Sequence, residues 1–497
     1  MVSEKMKPFM ANNSAIRAMF EEGKKMAAVY GAENVYDFSL GNPNVPVPEV
    51  NEAILEIVKE EAFNALHGYM SNAGFEDVRQ TIAQSINERF GTSFSEKNLI
   101  MTVGAASGLN VILKSILNPG DQVIVFAPYF VEYDGYVRNY DGEVVRISPD
   151  TETFMPKLDE FEEKITKRTK AVIINNPNNP TGVVYGEDTI KALAAILEKK
   201  EKEFGISILL ISDEPYRELA YGVEVPYVTK YYHNTMVGYS YSKSLSIPGE
   251  RIGYLVIPDE VDESGELITA ASIANRVLGC VNAPSLIQKV IQYCIRHKVT
   301  VNVEAYEKNR DLLYHALKED GFTCAKPDGA FYLFVKSPVA DEKEFCETAK
   351  KHHVLMVPGS SFACPGYVRI AYCVSHEQIE RSLPAFREIA REYGLLKKRA
   401  DAGPHGGGNG YQKICEDLFK HCGSPYDHLP DLCLGTAASW FLHTVCDRLG
   451  GGHDRQSPGA VPGKKDTDRQ AAQLHGPDRG GSGSGDLWPV FPGKPGA

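Results

Sequence analysis

The chain has 497 residues, a hydrophobic fraction of 43%, a charged fraction of 24% and a formal net charge of −12. A single core stops growing at roughly 250–300 residues, so two or three domains are expected, and the composition is that of a globular protein rather than a fibrous or wholly disordered one. The negative balance argues against a nucleic-acid surface, which needs clustered Lys and Arg.

The first residues, MVSEKMKPFMANNS, lack the apolar stretch of a secretory signal, and no segment approaches about 18 uninterrupted apolar residues. A cytoplasmic protein without membrane contact is the expectation. Six cysteines before residue 400 (Cys280, Cys294, Cys324, Cys346, Cys364, Cys373) form no C-x-x-C pair and read as buried free thiols.

From about Ala53 to Lys243 helical periodicity alternates with short apolar runs, the signature of β-α-β units around a mostly parallel sheet. QVIVFA (122–127), AVIIN (171–175) and ILLIS (208–212) read as buried strands. DTIKALAAILEKKEKEF (188–204) has apolar residues at helical spacing with charges opposite. After about Thr300 a long amphipathic helix leads to a strand in AFYLFVKS (330–337), a helix, a strand near YVRIAYCV (367–374) and a last helix ending near Lys398, a smaller α+β domain. Past residue 400 the character changes: the last 97 residues hold 19 of the 44 glycines, both tryptophans and six of the 13 histidines. Cys415, Cys422, Cys433 and Cys446 with His421 and His443 lack the tight spacing of a structural zinc site, so no metal is expected and 399–497 reads as a flexible tail.

Chemistry concentrates in SYSKSLSIPGERIGY (240–254), where Lys243 lies among Ser240 and Ser242 with Arg251 downstream. A lysine becomes a nucleophile toward an aldehyde when its surroundings lower its pKa, and hydroxyls with a guanidinium are groups that hold a phosphate dianion. TVGAASGLN (102–110) joins a strand to a helix, so the amides of Gly104, Ala105 and Ala106 open that helix toward an anion. Taken one at a time, each of these segments also has a bland reading as a solvated charge or a packing turn.

Taken together, S-x-S-K with an arginine eight residues on resembles the lysine motif of the class I/II, fold-type I pyridoxal-phosphate (PLP) aminotransferases, the group that includes aspartate aminotransferases. The remaining stations follow in order over roughly residues 5 to 398: DFSLGNPN (37–44), HGYMSNAGFEDVR (67–79), PGDQVIVFAPYFVEY (119–133), NNPNNPTGVVY (175–185), SDEPYREL (212–219) and VPGSSFACPGYVRIAYCV (357–374). The resemblance implies a large α/β domain with a mostly parallel sheet (46–299), a small α+β domain (300–398) and an N-terminal segment (1–45) joining the small domain.

The resemblance also assigns roles. Lys243 would bind PLP as a Schiff base and shuttle the substrate proton. Asp213 would keep the pyridine nitrogen protonated, and Asn179 and Tyr216 would reach the phenolic oxygen. Phe130 would stack on the ring. Gly104, Ala105, Ala106, Ser240, Ser242 and Arg251 would hold the phosphate, joined by Tyr69 from the neighbouring subunit of a homodimer. Arg369 would take the substrate α-carboxylate as a bidentate pair, and Gly41 would leave room for the substrate backbone. The implied activity is ping-pong transfer of an amino group between an L-amino acid and a 2-oxo acid, with glutamate or aspartate and 2-oxoglutarate as the pair suggested by analogy. Arg276 is a candidate for pairing with a second substrate carboxylate across the dimer. An elimination reaction such as C–S lysis would use the same cofactor residues, so the motifs leave that alternative open, and a non-catalytic relative would be expected to lack Lys243 or Asp213.

Overall fold

Short β-rich apolar runs bounded by Gly, Pro and Asn become strands, and in the computed structural model, which describes residues 1–11 and 15–396, twelve form in chain order. They are β1 (Tyr36–Asp37), β2 (Leu99–Thr102), β3 (Gln122–Phe126), β4 (Glu143–Ile147), β5 (Thr169–Asn175), β6 (Leu209–Asp213), β7 (Thr235–Ser240), β8 (Gly253–Val256), β9 (Tyr332–Lys336), β10 (Val354–Leu355), β11 (Val357–Pro358) and β12 (Tyr367–Ala371). Seven build one sheet in the order β2-β8-β7-β6-β5-β3-β4. Only β8 runs against its neighbours, so the other six point their carboxyl ends to the same edge.

Near-continuous apolar strands are what a sheet covered on both faces requires. Alternate side chains go to opposite faces. Val123, Val125, Ala171, Ile173 and Ile211 pack with Leu109, Ile112 and Leu113 of the helix Ala105–Ile116. Ile124, Phe126, Val172, Ile174 and Leu210 pack with Ile190, Leu193 and Leu197 of the helix Glu187–Phe204. Each fully buried Ile or Leu contributes about 1.5–3 kcal/mol, so these two layers hold the sheet rigid. The second helix has Glu187 and Asp188 in its first turn, Lys202 in its last, and Gly205 at φ 64° as its stop, each favourable to the helix dipole or the C-cap.

Chain order along the sheet reverses between β3 and β5, and open α/β sheets bind ligands outside the strands' carboxyl ends at such a point. A smaller antiparallel sheet, β11-β12-β9, sets Arg369 opposite Phe334, and β1 pairs in parallel with β10 through Tyr36 and Val354. The last helix, His376–Glu392, lays Phe386 against Phe38 with ring centres 5.8 Å apart. It stops short of the Lys398 read from the sequence, and Tyr393 takes a C-cap conformation with φ −90° and ψ 2°. The six cysteines before residue 400 are free thiols. Among the described residues no helix is long and apolar enough to cross a membrane. The segment 399–497, with its cysteines and histidines, lies outside the described residues.

Candidate active site

Five strand ends converge on one crevice. Phe130 follows β3, Asn179 follows β5, Asp213 ends β6, Ser240 ends β7, and Gly104 follows β2 and caps the helix Ala105–Ile116. All but Gly104 line a cavity of about 250 Å³ with Gly41, Ala105, Ala106, Tyr216, Ser242, Lys243, Arg251 and Arg369. Gly104 is not itself a lining residue, but a Cβ on it would come within 2.8 Å of Arg251 Nη2, and its φ of +81° disfavours any side chain.

Lys243 sits in a single helical turn, Tyr241–Ser244, capped by Ser240, whose hydroxyl accepts from the Ser242 amide. The Ser240 and Ser242 hydroxyls lie 2.8 Å apart. Lys243 Nζ donates to Gly41 O at 2.7 Å and lies 5.3 Å from the Phe331 ring centre. Burial holds this ammonium down at about 8, with Arg369 and Arg251 adding to the effect. A fraction of the amine is therefore free near neutral pH.

Asp213 is buried. Its Oδ2 accepts from the Tyr133 hydroxyl at 2.5 Å, and its Oδ1 has no hydrogen-bond partner. Burial raises the carboxyl from 3.8 to about 7, against the lowering effect of Tyr133. An orphaned buried oxygen costs about 1–3 kcal/mol, which a proton or a cationic donor would relieve. The Tyr216 and Tyr332 hydroxyls share a 2.8 Å hydrogen bond, and burial pushes the Tyr216 hydroxyl well above its usual range, so it stays neutral.

Arg369, 2% exposed, donates from Nη1 to Asn179 Oδ1 at 3.0 Å and from Nη2 to Ser39 O at 2.6 Å; its Nε is buried without a partner. Its guanidinium stacks 4.5 Å from the Tyr332 ring centre and 4.7 Å from Phe362. Asn179 is positioned in turn by Asn175 Oδ1, which accepts from the Asn179 amide at 2.7 Å. A Cβ on Gly41 would collide with the Tyr332 hydroxyl.

Two residues are expected to act across a dimer. Tyr69 is 96% exposed and Arg276 is exposed, and neither lines this chain's cavity. Four residues that sequence reasoning passed over belong to the site or hold it: Tyr133, Tyr136, Tyr332 and Ser39. Tyr133 and Tyr136 follow Phe130 at spacings of three residues on one helix, Glu132–Asn139, and that spacing was the available signal.

The family model for aminotransferase class I and II matches residues 32–386. The chain is 32% identical to an aspartate aminotransferase of Thermotoga maritima over 385 residues, 75% of this chain and 96% of that protein. It is 33% identical to an aspartate/prephenate aminotransferase of Thermus thermophilus, covering 70% of this chain and 89% of that one. Among solved structures, an amino transferase from Eubacterium rectale superposes with a TM-score of 0.77 at 50% identity, over 79% of this chain and 99% of that one. The Thermus thermophilus aspartate aminotransferase with maleate gives 0.70 at 28% identity, over 78% and 99%. With the doubly covered parallel sheet and the crevice at its switch point, these matches show that the chain belongs to the class I and II aminotransferase family and is a PLP-dependent transaminase.

Proposed function

We propose that the chain transfers amino groups between L-amino acids and 2-oxo acids by a ping-pong route, with glutamate or aspartate and 2-oxoglutarate as the working pair, and that Lys243 is both anchor and proton carrier. The observation that carries this is the pairing, in one cavity, of an amine held down at about 8 with a buried carboxyl whose Oδ1 has no partner. Aspartate appears in the names of the relatives at 32% and 33% identity, which supports the choice of substrates.

PLP fits this residue set. When bound, it supplies an aldehyde and an electron-withdrawing ring that stabilises negative charge at the substrate α-carbon. Asp213 Oδ1 would accept from a protonated ring nitrogen, which would satisfy the orphaned oxygen and favour the ionised carboxylate. Phe130 would cover a ring face. Arg251, the Ser240 and Ser242 hydroxyls and the amides of Gly104, Ala105 and Ala106 would hold the phosphate. Asn179 and Tyr216 would face the phenolic oxygen, Tyr216 as a neutral donor.

Arg369 would bind the substrate α-carboxylate through donors already fixed by Asn179, Ser39 and the stacked rings. Gly41 leaves the backbone side of the substrate open. Lys243 Nζ, once free, would take the Cα proton of the donor and later return one to the acceptor, and its lowered pKa suits it to both tasks. We take the working unit to be a cytoplasmic homodimer in which Tyr69 reaches the neighbouring site. Residues 46–299 would form the cofactor domain and 300–398 the small domain, joined by 1–45; the β1–β10 pairing supports that last attachment.

The test is an absorbance spectrum of the purified chain with PLP, with and without a panel of amino acids, beside Lys243→Ala. A lysine-dependent band that is converted by glutamate and aspartate supports the reading. A wild type without such a band overturns it, and release of ammonia or pyruvate in place of 2-oxo acid exchange reassigns the chain to elimination chemistry.

A further inference from the structure

The two segments that carry Asp213, Tyr216 and Lys243 have a second cavity at their back. It encloses about 380 Å³, against about 250 Å³ in front. Neighbouring residues divide between the two spaces. Asp213 and Tyr216 line the front, and Glu214, Arg217 and Glu218 line the rear. Likewise Ser242 and Lys243 face forward while Tyr241 and Ser244 face back. One wall thus serves both cavities.

The rear cavity is built for a flat ring with polar ends. Phe90, Tyr227, Tyr239, Tyr241 and Tyr254 supply aromatic surface, with Phe90 stacked on Tyr227 at 4.3 Å between ring centres. Tyr227 is 4% exposed, and its buried hydroxyl has no hydrogen-bond partner. Such an orphan costs about 1–3 kcal/mol and is satisfied by an incoming polar atom. Of the charged lining residues, Arg89, Arg217 and Lys298 outnumber Glu214 and Glu218 by one. Arg217 is fully committed to Glu214 and the Val225 and Pro226 carbonyls, whereas Arg89 reaches Glu218 through Nη1 alone and Lys298 is exposed.

We propose that this rear cavity is a second ligand site for a small hydroxylated aromatic carboxylate, and that its occupancy alters turnover at Lys243. The ring lies among the tyrosines, its hydroxyl pairs with Tyr227, and its carboxylate meets Arg89 and Lys298. The link forward is short: the Tyr239 hydroxyl donates to Ser244 Oγ at 2.9 Å and lies 3.4 Å from Glu218 Oε1, and Ser244 O accepts from the Val301 amide at 3.0 Å. A carboxylate that competes with Glu218 for Arg89 shifts the partner of Tyr239 and so the residue beside Lys243. The effect on turnover rests on the transaminase reading; the binding does not.

The test uses the full chain loaded with PLP and 4-hydroxyphenylacetate, which has neither an amino nor an oxo group to exchange. Calorimetry reads binding with the amino donor absent and saturating, and the assay reads the inhibition pattern. Expected are binding that survives saturating donor, an effect not competitive with the donor, and about tenfold weaker binding in Arg89→Gln and Tyr227→Phe, the loss of one hydrogen-bonding partner. Should Arg89→Gln fail to fold, Lys298→Gln at the exposed rim reads the same contact. Binding abolished by donor and insensitive to these changes would place the probe in the front cavity and overturn the proposal, as would no binding at millimolar probe. If the chain failed to transaminate, calorimetry would still decide the rear site on its own.

Discussion

The Tyr133 hydroxyl donates to Asp213 Oδ2 at 2.5 Å across 80 residues of sequence, leaving Oδ1 of the same carboxyl buried without a partner. The bond fixes which oxygen is offered and lowers a carboxyl that burial raises to about 7. Tyr133→Phe should therefore push the Asp213 titration higher and reduce turnover about tenfold, the worth of one buried hydrogen bond to a charged group. The carboxyl infrared band, referenced to Asp213→Asn, reads the first effect, and kcat the second. An unmoved band would show that Tyr133 only fills space.

Asp213 also gives the cofactor-free chain a pH-dependent weakness. Its folded value of about 7 lies above the ordinary 3.8, so the unfolded chain gives up this proton first. Stability from the group is complete below about 3.8 and is lost as pH rises through about 7. The melting temperature of Asp213→Asn relative to the wild type should climb across that window, and PLP should reverse the difference. A constant difference between the two proteins would contradict the raised value.

Lys243 is displaced in the other direction. With its folded value held near 8, below 10.5, the folded chain sheds a proton that the unfolded chain keeps between those limits, so this group destabilises the fold at low pH and ceases to do so as pH rises. Capture of PLP by the cofactor-free chain, which needs the free amine, should speed up with pH through a single step near 8. Cys373 lies close by and opposes the lowering at Lys243, so Cys373→Ala should move the midpoint to lower pH and not higher. Stopped-flow absorbance across pH measures both.

These residues show where sequence reading reaches and where it ends. Asp213 and Asn179 were legible because each sits in a short motif beside the carboxyl end of an apolar run, and the runs became β6 and β5; Lys243 was legible from its serine-rich motif, which follows β7. Tyr133 and Tyr332 were not. Tyr332 lies in an apolar run that reads as a strand, but nothing local says that its hydroxyl meets Tyr216, 116 residues away, or that its ring bears on Arg369. Such contacts are set by how the small sheet lies on the large one, and local periodicity carries no record of that.

Gly104 tests the phosphate cradle by steric means. A side chain there is strained at φ +81° and enters the space of Arg251 Nη2, the movable end of a flexible residue. The backbone strain at φ 81° and ψ 172° costs about 1–3 kcal/mol, and the clash is relieved only by displacing the guanidinium. Gly104→Ala should therefore weaken PLP by about tenfold and lower the melting temperature by several degrees. Equilibrium dialysis with PLP against a melting curve separates the two, and a large loss of stability with unchanged PLP affinity would refute the cradle.

Arg369 offers the sharpest division between binding and chemistry. Its guanidinium is held by Asn179 and Ser39 and clamped between Tyr332 and Phe362, so its position is fixed before substrate arrives. Lysine retains the charge but not the planar fork, and it cannot keep two partners while binding a carboxylate as a pair. Losing one charge-assisted bond costs about 1.5–3 kcal/mol, so Arg369→Lys should lower kcat/KM by roughly 10- to 150-fold. Most of that loss should appear in KM, because the α-carboxylate is bound alike before and during proton transfer. The Lys243-dependent absorbance band should persist, since Arg369 holds substrate and not PLP. A variant that lost the band, or that lowered kcat with KM unchanged, would move Arg369 from substrate binding to the support of Lys243.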